Sequence, residues 1–545
     1  MNHPVTRRAL AATVLALGSF AGASPALGAP ESAGVPQATI PAGRALAALS
    51  AYEHVLVSLR GGPAAEDLVR GVGGTLVSAA SRLWQLEGST ARAVVPLLAN
   101  RDLLRFAEPD RVRPRGGRLE SGDPLLVEAW HLGHVGADAA EPPGPGVPIT
   151  FLDTGLDLAH PEFAARPDVV LLNDQAPGAY GGSGYHGTVV ISTAAAPADG
   201  IGTVGVYPRS VVQSFDLAAL EDSEIIAGIE AALRRGPSVI NLSLGGPGFS
   251  RSLYEAVMRA VDAGSIVVAA AGNDFLRGNP IVFPAAFPHV VTVGATDLLD
   301  APAIFSSESR TTDIAAPGVA IPVQDPVDPM GFSTYRGTSV AAPIVSAAAA
   351  WVWTQRPDLD PSQLVEVLRR SAQDLGEPGF DDRSGFGMLD IPAALAFGPP
   401  APDPLEPNDD IDLVADRGVL TDRKPPLTAS GRGRVTLTAR LDEAEDPVDV
   451  YRVVVPAGRT LVVSAFADAD VGLALWRSRT RSVYASGPVA RRNRLSASDR
   501  RGPRAETVSW RNETGQAATL FVELWVPDRN GPGRAAYRLE LVTRR

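Results

Sequence analysis

The sequence predicts an α/β domain with a central, mostly parallel sheet, preceded by a small α+β unit and followed by an all-β sandwich. Three observations carry this reading. From 123 to 398, continuous apolar runs such as VPITFLD and SIVVAAAGN alternate with amphipathic helical patterns, which is how a sheet covered on both faces reads. Ahead of it, residues 53–112 read strand, helix, two strands, helix, strand, the order of a ferredoxin-like unit. Beyond 398, short segments alternate apolar and polar residues between turn signals, as sandwich strands do.

Composition sets the outer bounds. At 545 residues the chain is too long for one ordinary domain, and its 45% apolar residues are enough for sizeable cores. A net charge of −12 argues against a nucleic-acid partner. The absence of cysteine excludes disulfides, thiolate metal sites and a cysteine nucleophile together.

The elements follow in order. Residues 1–29 join a basic stretch, MNHPVTRR, to an apolar run of signal-peptide length, with Ala21-Gly22-Ala23 or Ala29 as the cleavage point. Thr6-Arg7-Arg8 fits a twin-arginine signal as well as an ordinary basic start, so both export routes stay open. No other run reaches the roughly 18 apolar residues that span a membrane. The protein is therefore expected outside the cytoplasm, extracellular or periplasmic, without an anchor once the signal is removed. Residues 30–52, rich in Ala, Pro and Gly, read as a linker, and 113–122 (RPRGGRLESG) as an exposed, cleavable connection.

Within the α/β domain, VPITFLD is a buried strand ending in Asp153. Ser223 is expected to cap a helix that carries Ile225, Ile226, Ile229, Ala232 and Leu233 on one face, with Gly236 past its end. PSVINLSLGG reads as another buried strand. A helix over 252–262 ends at Gly264 and leads into SIVVAAAGN. From Val340 to Trp353 Ser346 is the only polar residue. A helix with no wet face, and too short to cross a bilayer, is a buried one. In 399–545 the Pro- and acid-rich linker PPAPDPLEPNDD precedes six strand-like segments, VTLTARL, DVYRVVVPAG, TLVVSAFA, VGLALWR, ATLFVELWV and AAYRLELV.

Functional residues of open α/β sheets lie at the carboxyl ends of strands and at helix N-termini, and four fall there. Asp153 ends the first buried strand, His186 follows the Gly-rich GGSGY, Asn273 follows SIVVAAAG, and Ser339 opens the buried helix. Taken singly, each has a plainer reading: a turn aspartate, a packing histidine, a left-handed-turn asparagine, an N-cap serine. Together they stand in one of the chain orders known for the serine–histidine–acid triad. A histidine can take the proton that makes a serine hydroxyl nucleophilic, and a carboxylate fixes its tautomer. A nearby amide can donate to the oxyanion.

These segments resemble the subtilisin-like serine proteases, or subtilases. Asp153 falls in the D-[ST]-G motif, His186 in H-G-T, Ser339 in G-T-S-x-A-x-P and Asn273 in A-G-N. VINLSLGG, FPAAFPHVVTVGATD, AAPGVAI and GFGMLDIPAALA agree around them. The resemblance implies a subtilisin-like three-layer domain over 123–398 and a serine endopeptidase acting on polypeptides. It assigns catalysis to Asp153, His186 and Ser339 and the oxyanion contact to Asn273. Substrate binding falls to Ser243, Leu244, Gly245 and Gly246 on one wall and to Ala271 and Gly272 on the other. Those segments hold no charge, so an apolar or aromatic P1 residue is expected. Residues 53–112 resemble the inhibitor-like propeptide of the family, with FAEPDRV as its closing motif, and the resemblance implies a zymogen with its own propeptide as inhibitor, cleaved in the connection 113–122. Residues 403–545 resemble the bacterial pre-peptidase C-terminal domain.

Two departures stand against the pattern. Val189 and Ile344 occupy positions where the family usually has histidine. They motivate an alternative in which a catalytically impaired protease fold serves as a binding or scaffold protein. An α/β-hydrolase esterase is disfavoured because no G-x-S-x-G occurs. The chemistry requires no cofactor. Structural calcium is common in subtilases and acids stand at Asp157, Glu162, Asp381 and Asp382, but without a spaced ligand loop no metal ligand is assigned. Residues 477–504 hold nine arginines and a single acid, Asp499, and read as a solvated face.

Overall fold

The computed structural model describes residues 54–109, 122–174, 185–324, 331–416 and 418–545, except 61–62, 79–81, 102, 377–378, 421–423, 429–432, 443–445, 485–486 and 528–533. The expected signal, the linker 30–52 and nearly all of the connection 113–122 lie outside the described residues. The chain divides into two compact units near residue 115.

In the smaller unit, strands β1 (His54–Leu59), β2 (Thr75–Ser78), β3 (Leu83–Glu87) and β4 (Leu104–Pro109) alternate with helices α1 (Pro63–Gly71) and α2 (Gly88–Asn100). The sheet order is β2-β3-β1-β4, antiparallel throughout. The period-two pattern of β1 puts Val55, Val57 and Leu59 on one buried face. They share a core with Trp84, Leu86, Val95 and Leu98. The expected β-α-β-β-α-β order is the observed one.

The larger unit holds a seven-stranded parallel sheet of β5 (Ile149–Asp153), β6 (Val169–Leu171), β7 (Val212–Asp216), β8 (Val239–Leu242), β9 (Ile266–Ala270), β10 (Val290–Thr296) and β11 (Ile314–Pro317). Its order is β11-β10-β9-β8-β5-β7-β6. Successive residues of a strand face opposite sides, and two cores result. Phe151 and Val268 enter one, with Val190 of α3 (His186–Ala195) and Val345 and Trp351 of a long helix, Thr338–Gln355. Leu152 and Val267 enter the other, with Ile229 of α4 (Asp222–Leu233) and Val257 of α5 (Arg251–Asp262). This is a three-layer arrangement. The chain reverses its direction across the sheet between β5 and β8, and ligand crevices open at the carboxyl ends of strands at such a point.

The N-cap of helix α4 lies two residues before the expected one. It is Glu221, so Ser223 lies inside the first turn. There Asp222 and Glu224 complement the helix dipole instead, and Glu224 accepts a hydrogen bond from the Ala219 amide. A two-stranded ribbon, β12 (Ile321–Gln324) and β13 (Phe332–Tyr335), leads into α6 (Thr338–Gln355). As its composition requires, α6 is buried continuously from Val340 to Val352. Helix α7 (Pro361–Ser371) follows, closed by a capping box between Asp360 and Gln363.

The C-terminal part is a sandwich of two four-stranded antiparallel sheets. One orders β14 (Arg434–Asp442), β21 (Arg534–Arg544), β16 (Thr460–Ala467) and β19 (Glu506–Arg511). The other orders β15 (Val448–Val455), β20 (Ala518–Trp525), β17 (Gly472–Arg477) and β18 (Arg494–Ser498). The six expected strands are all present. β18 and β19 were not expected; each is an edge strand in or just past the arginine-rich stretch, where one wet side weakens the apolar alternation.

Candidate active site

Strand β5 delivers Asp153 to the floor of the crevice, where it is 2% exposed. Its Oδ1 accepts the Thr154 amide at 2.8 Å and His186 Nδ1 at 2.8 Å. His186 opens α3, and Gly187 explains how it comes so close. A Cβ at Gly187 would lie 2.3 Å from the Gly155 carbonyl oxygen, so only glycine lets the helix start sit on the strand end. Two reciprocal bonds lock the pair: Gly187 N–H to Thr154 Oγ1 and Asp157 N–H to Thr188 Oγ1, both 2.9 Å. The D-T-G and H-G-T stretches thus form one interlocked unit.

Burial alone would depress the His186 pKa. The Asp153 charge and hydrogen bond outweigh it and hold the imidazole above its usual value. The Tyr335 ring meets the imidazole edge-on, 6.0 Å between centroids.

Ser339 is the second residue of α6. The N-cap is Gly337 at φ 146°, a backbone conformation suited to glycine, which has no side chain of its own to cap the helix. Ser339 is therefore no cap serine. Its N–H has no hydrogen-bond partner among the described residues, as expected for the first turn of a helix. Its Oγ donates to the Ser243 carbonyl at 3.3 Å. One residue on, Val340 packs with Val189, a turn into α3, in a single apolar cluster, so the two helix starts lie side by side.

Asn273 follows β9 and Gly272, which has φ 104°. Its Oδ1 accepts the Thr338 amide at 2.9 Å and the Thr338 hydroxyl at 3.1 Å. That orientation leaves the Nδ2 donors unpartnered among the described residues, beside Gly337. The structure joins Asp153 to His186 directly and ties Ser339 to Ser243 and Asn273 to Thr338; Ser339 and Asn273 are not part of the lining of the cleft that opens on the first pair.

A cleft of about 720 Å³ opens on Asp153 and His186. Ser243, Leu244, Gly245 and Gly246 line it as expected, whereas Ala271 and Gly272 are not part of its lining. Ile225, Leu253, Phe283 and Tyr335 line it as well. Ile225 carries no sequence signal beyond its place on a helix face, which marks core and cleft alike. Gly246 and Phe283 exchange backbone bonds of 3.0 and 2.9 Å that close this wall.

Comparison with known proteins identifies the family. A family model described as the subtilase family matches residues 144–387. Subtilisin of Bacillus pumilus is 34% identical over 257 residues, covering 46% of this chain and 91% of that protein. The chain belongs to the subtilase family. Subtilisin BL of Lederbergia lenta is 35% identical over 272 residues, 49% of this chain and 97% of its own. Fervidolysin of Fervidobacterium pennivorans is 32% identical over 334 residues, 53% of this chain and 47% of its own. The fervidolysin crystal structure covers 84% of this chain and 68% of its own, with TM-score 0.47 and 22% identity. This subtilase is a serine endopeptidase.

Its two apolar departures sit in apolar surroundings. Val189 packs with Tyr185, Ile321, Val323 and Val340. Ile344 is fully buried in the main core. The acids noted for calcium divide. Asp381 is spent on a turn, accepting the Arg383 and Ser384 amides and the Ser384 hydroxyl. Asp157 accepts the Ala159 amide. Glu162 is fully buried beside the Thr203 backbone and the Arg166 guanidinium. Among the described residues no helix is long and apolar enough to cross a membrane.

Proposed function

We propose that this subtilase is an exported endopeptidase made as a zymogen, cleaving peptide bonds through an acyl-enzyme on Ser339. The observation that carries the reading is the 2.8 Å Asp153–His186 bond, together with a serine in the first turn of a buried helix whose own N–H is unpartnered among the described residues. In this mechanism His186 takes the Ser339 proton as Oγ attacks the scissile carbonyl, then hands it to the leaving amine as the C–N bond breaks. Water deacylates the enzyme by the same route in reverse. Asp153 holds the imidazole tautomer and stabilises the imidazolium. The Ser339 N–H and Asn273 Nδ2 face the developing oxyanion. In the resting arrangement Ser339 Oγ points to the Ser243 carbonyl, so attack requires a rotation about χ1, which is a fast motion.

Leu244, Ile225 and Phe283 in the cleft favour apolar or aromatic substrate side chains near the scissile bond. Residues 54–109, with a core of their own, serve as the inhibitor-like propeptide, removed by cleavage near 113–122, and residues 1–29 direct export.

The test is labelling of the purified chain with a serine-directed fluorophosphonate, followed by intact-mass analysis. One adduct that vanishes in Ser339→Ala, on a chain shortened to about residue 120, is the expected result. A chain that stays unlabelled even after a trace of active protease has removed the N-terminal unit would favour the impaired-scaffold alternative.

A further inference from the structure

One charge in the cleft stands unanswered among the described residues. The lining includes two acids, Asp153 and Asp222, and no lysine or arginine. Asp153 is bonded to His186. Asp222 is exposed, and its carboxylate has neither an ion pair nor a hydrogen bond among the described residues. It opens α4, and Ile225, three residues on, shares its helix face and lines the same cleft. Leu220 and Leu253 also line it.

The helix dipole does not account for its place. Glu224 in the same turn complements that end of α4 and also accepts the Ala219 amide, and an acid that serves the dipole alone need not border the cleft. A carboxylate among apolar lining residues fits one kind of side chain. Arginine and lysine lay their methylene stems along apolar surface and keep the charged head in water, and Leu220, Ile225 and Leu253 offer such surface in the same cleft. A glutamate there would meet like charge, to which the exposed Glu221 adds from the next position.

The chain's own sequence carries a matching substrate. In the connection 113–122, RPRGGRLESG, Leu119 is the single large aliphatic residue, and Arg113, Arg115 and Arg118 all precede it. Leu119 suits the apolar preference at the scissile bond, which places the cations on the N-terminal side of that bond. We propose that Asp222 selects substrates bearing arginine or lysine N-terminal to the scissile bond, and that this preference directs maturation to the connection 113–122. Such selection presupposes the endopeptidase and zymogen reading above and adds a charge to the apolar preference given there.

The test measures kcat/KM of the purified chain, activated by removal of the N-terminal unit, on quenched fluorescent peptides built around one leucine. Arginine, glutamine or glutamate is placed in turn at each of six positions before the leucine. At one position or more arginine should exceed glutamine about fivefold, as an exposed ion pair allows, with glutamate poorer than either. Salt at about 1 M should erase the difference. Asp222→Asn should bring the ratio close to one and Asp222→Arg should turn it toward glutamate, while Glu221→Gln, outside the lining, keeps it. Each ratio is taken within one variant, so a general loss of rate cancels. In the full chain, Arg113→Gln, Arg115→Gln and Arg118→Gln combined should slow release of the N-terminal unit about fivefold. Should an Asp222 variant not fold, this change and the parent's salt-sensitive preference decide, since neither alters the peptidase domain. A ratio of one at every position, a ratio that survives Asp222→Asn, or unchanged processing of the triple variant overturns the proposal. No cleavage of any peptide, together with no fluorophosphonate adduct on Ser339, would instead overturn the endopeptidase reading itself.

Discussion

Ser346 Oγ donates a 2.9 Å hydrogen bond to Asn241 Oδ1 inside the core, where both residues are fully buried. The bond begins a relay. Asn241 Nδ2 donates to Ser243 Oγ at 3.0 Å, and Ser243 Oγ donates to the Ser339 carbonyl at 2.8 Å. One polar residue in an apolar helix thus reaches, through a neighbouring strand, back to the first turn of its own helix. The relay fixes the backbone that carries the nucleophile.

Ser346→Ala should accordingly affect both stability and rate. It leaves Asn241 Oδ1 buried without its donor, a loss of about 1–3 kcal/mol. With Asn241 free to turn, the Ser243 hydroxyl loses its orientation and the Ser339 turn loosens. We expect a lower melting temperature and a kcat reduced by up to about tenfold, with KM little changed. A variant that melts lower at unchanged kcat would confine Ser346 to a packing role.

Gly187→Ala tests the interlock between strand and helix. The added Cβ would meet backbone atoms of Gly155 and Thr154 at 2.3 to 3.1 Å, and backbone cannot swing aside as a flexible side chain does. The start of α3 must shift, carrying His186 off Asp153. A displacement of about 1 Å in a catalytic constellation costs about 100-fold. Fluorophosphonate labelling of Ser339 should slow by that order while circular dichroism of the fold is retained.

The four site residues were legible because each occurs in a short stretch whose local shape is demanding. Gly155, Gly187, Gly272 and Gly337 each permit a close approach or a positive φ next to a functional side chain, and such glycines leave a mark in sequence. The buried α6 was legible from its single polar residue, but the purpose of Ser346 was not, since its partner stands 105 positions away. Edge strands β18 and β19 escaped for a related reason: a strand with one wet side can be polar along much of its length. The place of Asp222 in the cleft escaped because acids favour the first turn of any helix, whatever that turn borders.

The pH dependence follows from His186. The reaction needs the neutral imidazole, and the Asp153 charge favours the protonated one against the effect of burial. The acidic limb of kcat/KM should therefore lie above the ordinary histidine value, with activity lost as pH falls through it. Asp153→Asn removes the charge, so the limb should move to lower pH. The rate on the plateau should drop by about 10⁴, because the tautomer is no longer held. A limb that stays in place in this variant would assign the titration to another group.

Asn273→Ala tests the oxyanion contact. In the resting structure Asn273 is held by its oxygen through Thr338, so the loss of its amide donors should leave substrate binding intact. The donors matter only once the carbonyl oxygen becomes tetrahedral and negative. Removing one such donor costs about 10²–10³ in kcat, and KM should change little. The same substitution also strips the Thr338 amide of its acceptor, which would lower stability and blur the reading. Thr338→Ala supplies the control: it removes the 3.1 Å hydroxyl bond to Asn273 but leaves the amide donors in the site. A loss of kcat in Asn273→Ala well beyond that in Thr338→Ala places the effect on the oxyanion; equal losses would reduce Asn273 to a brace for the helix start.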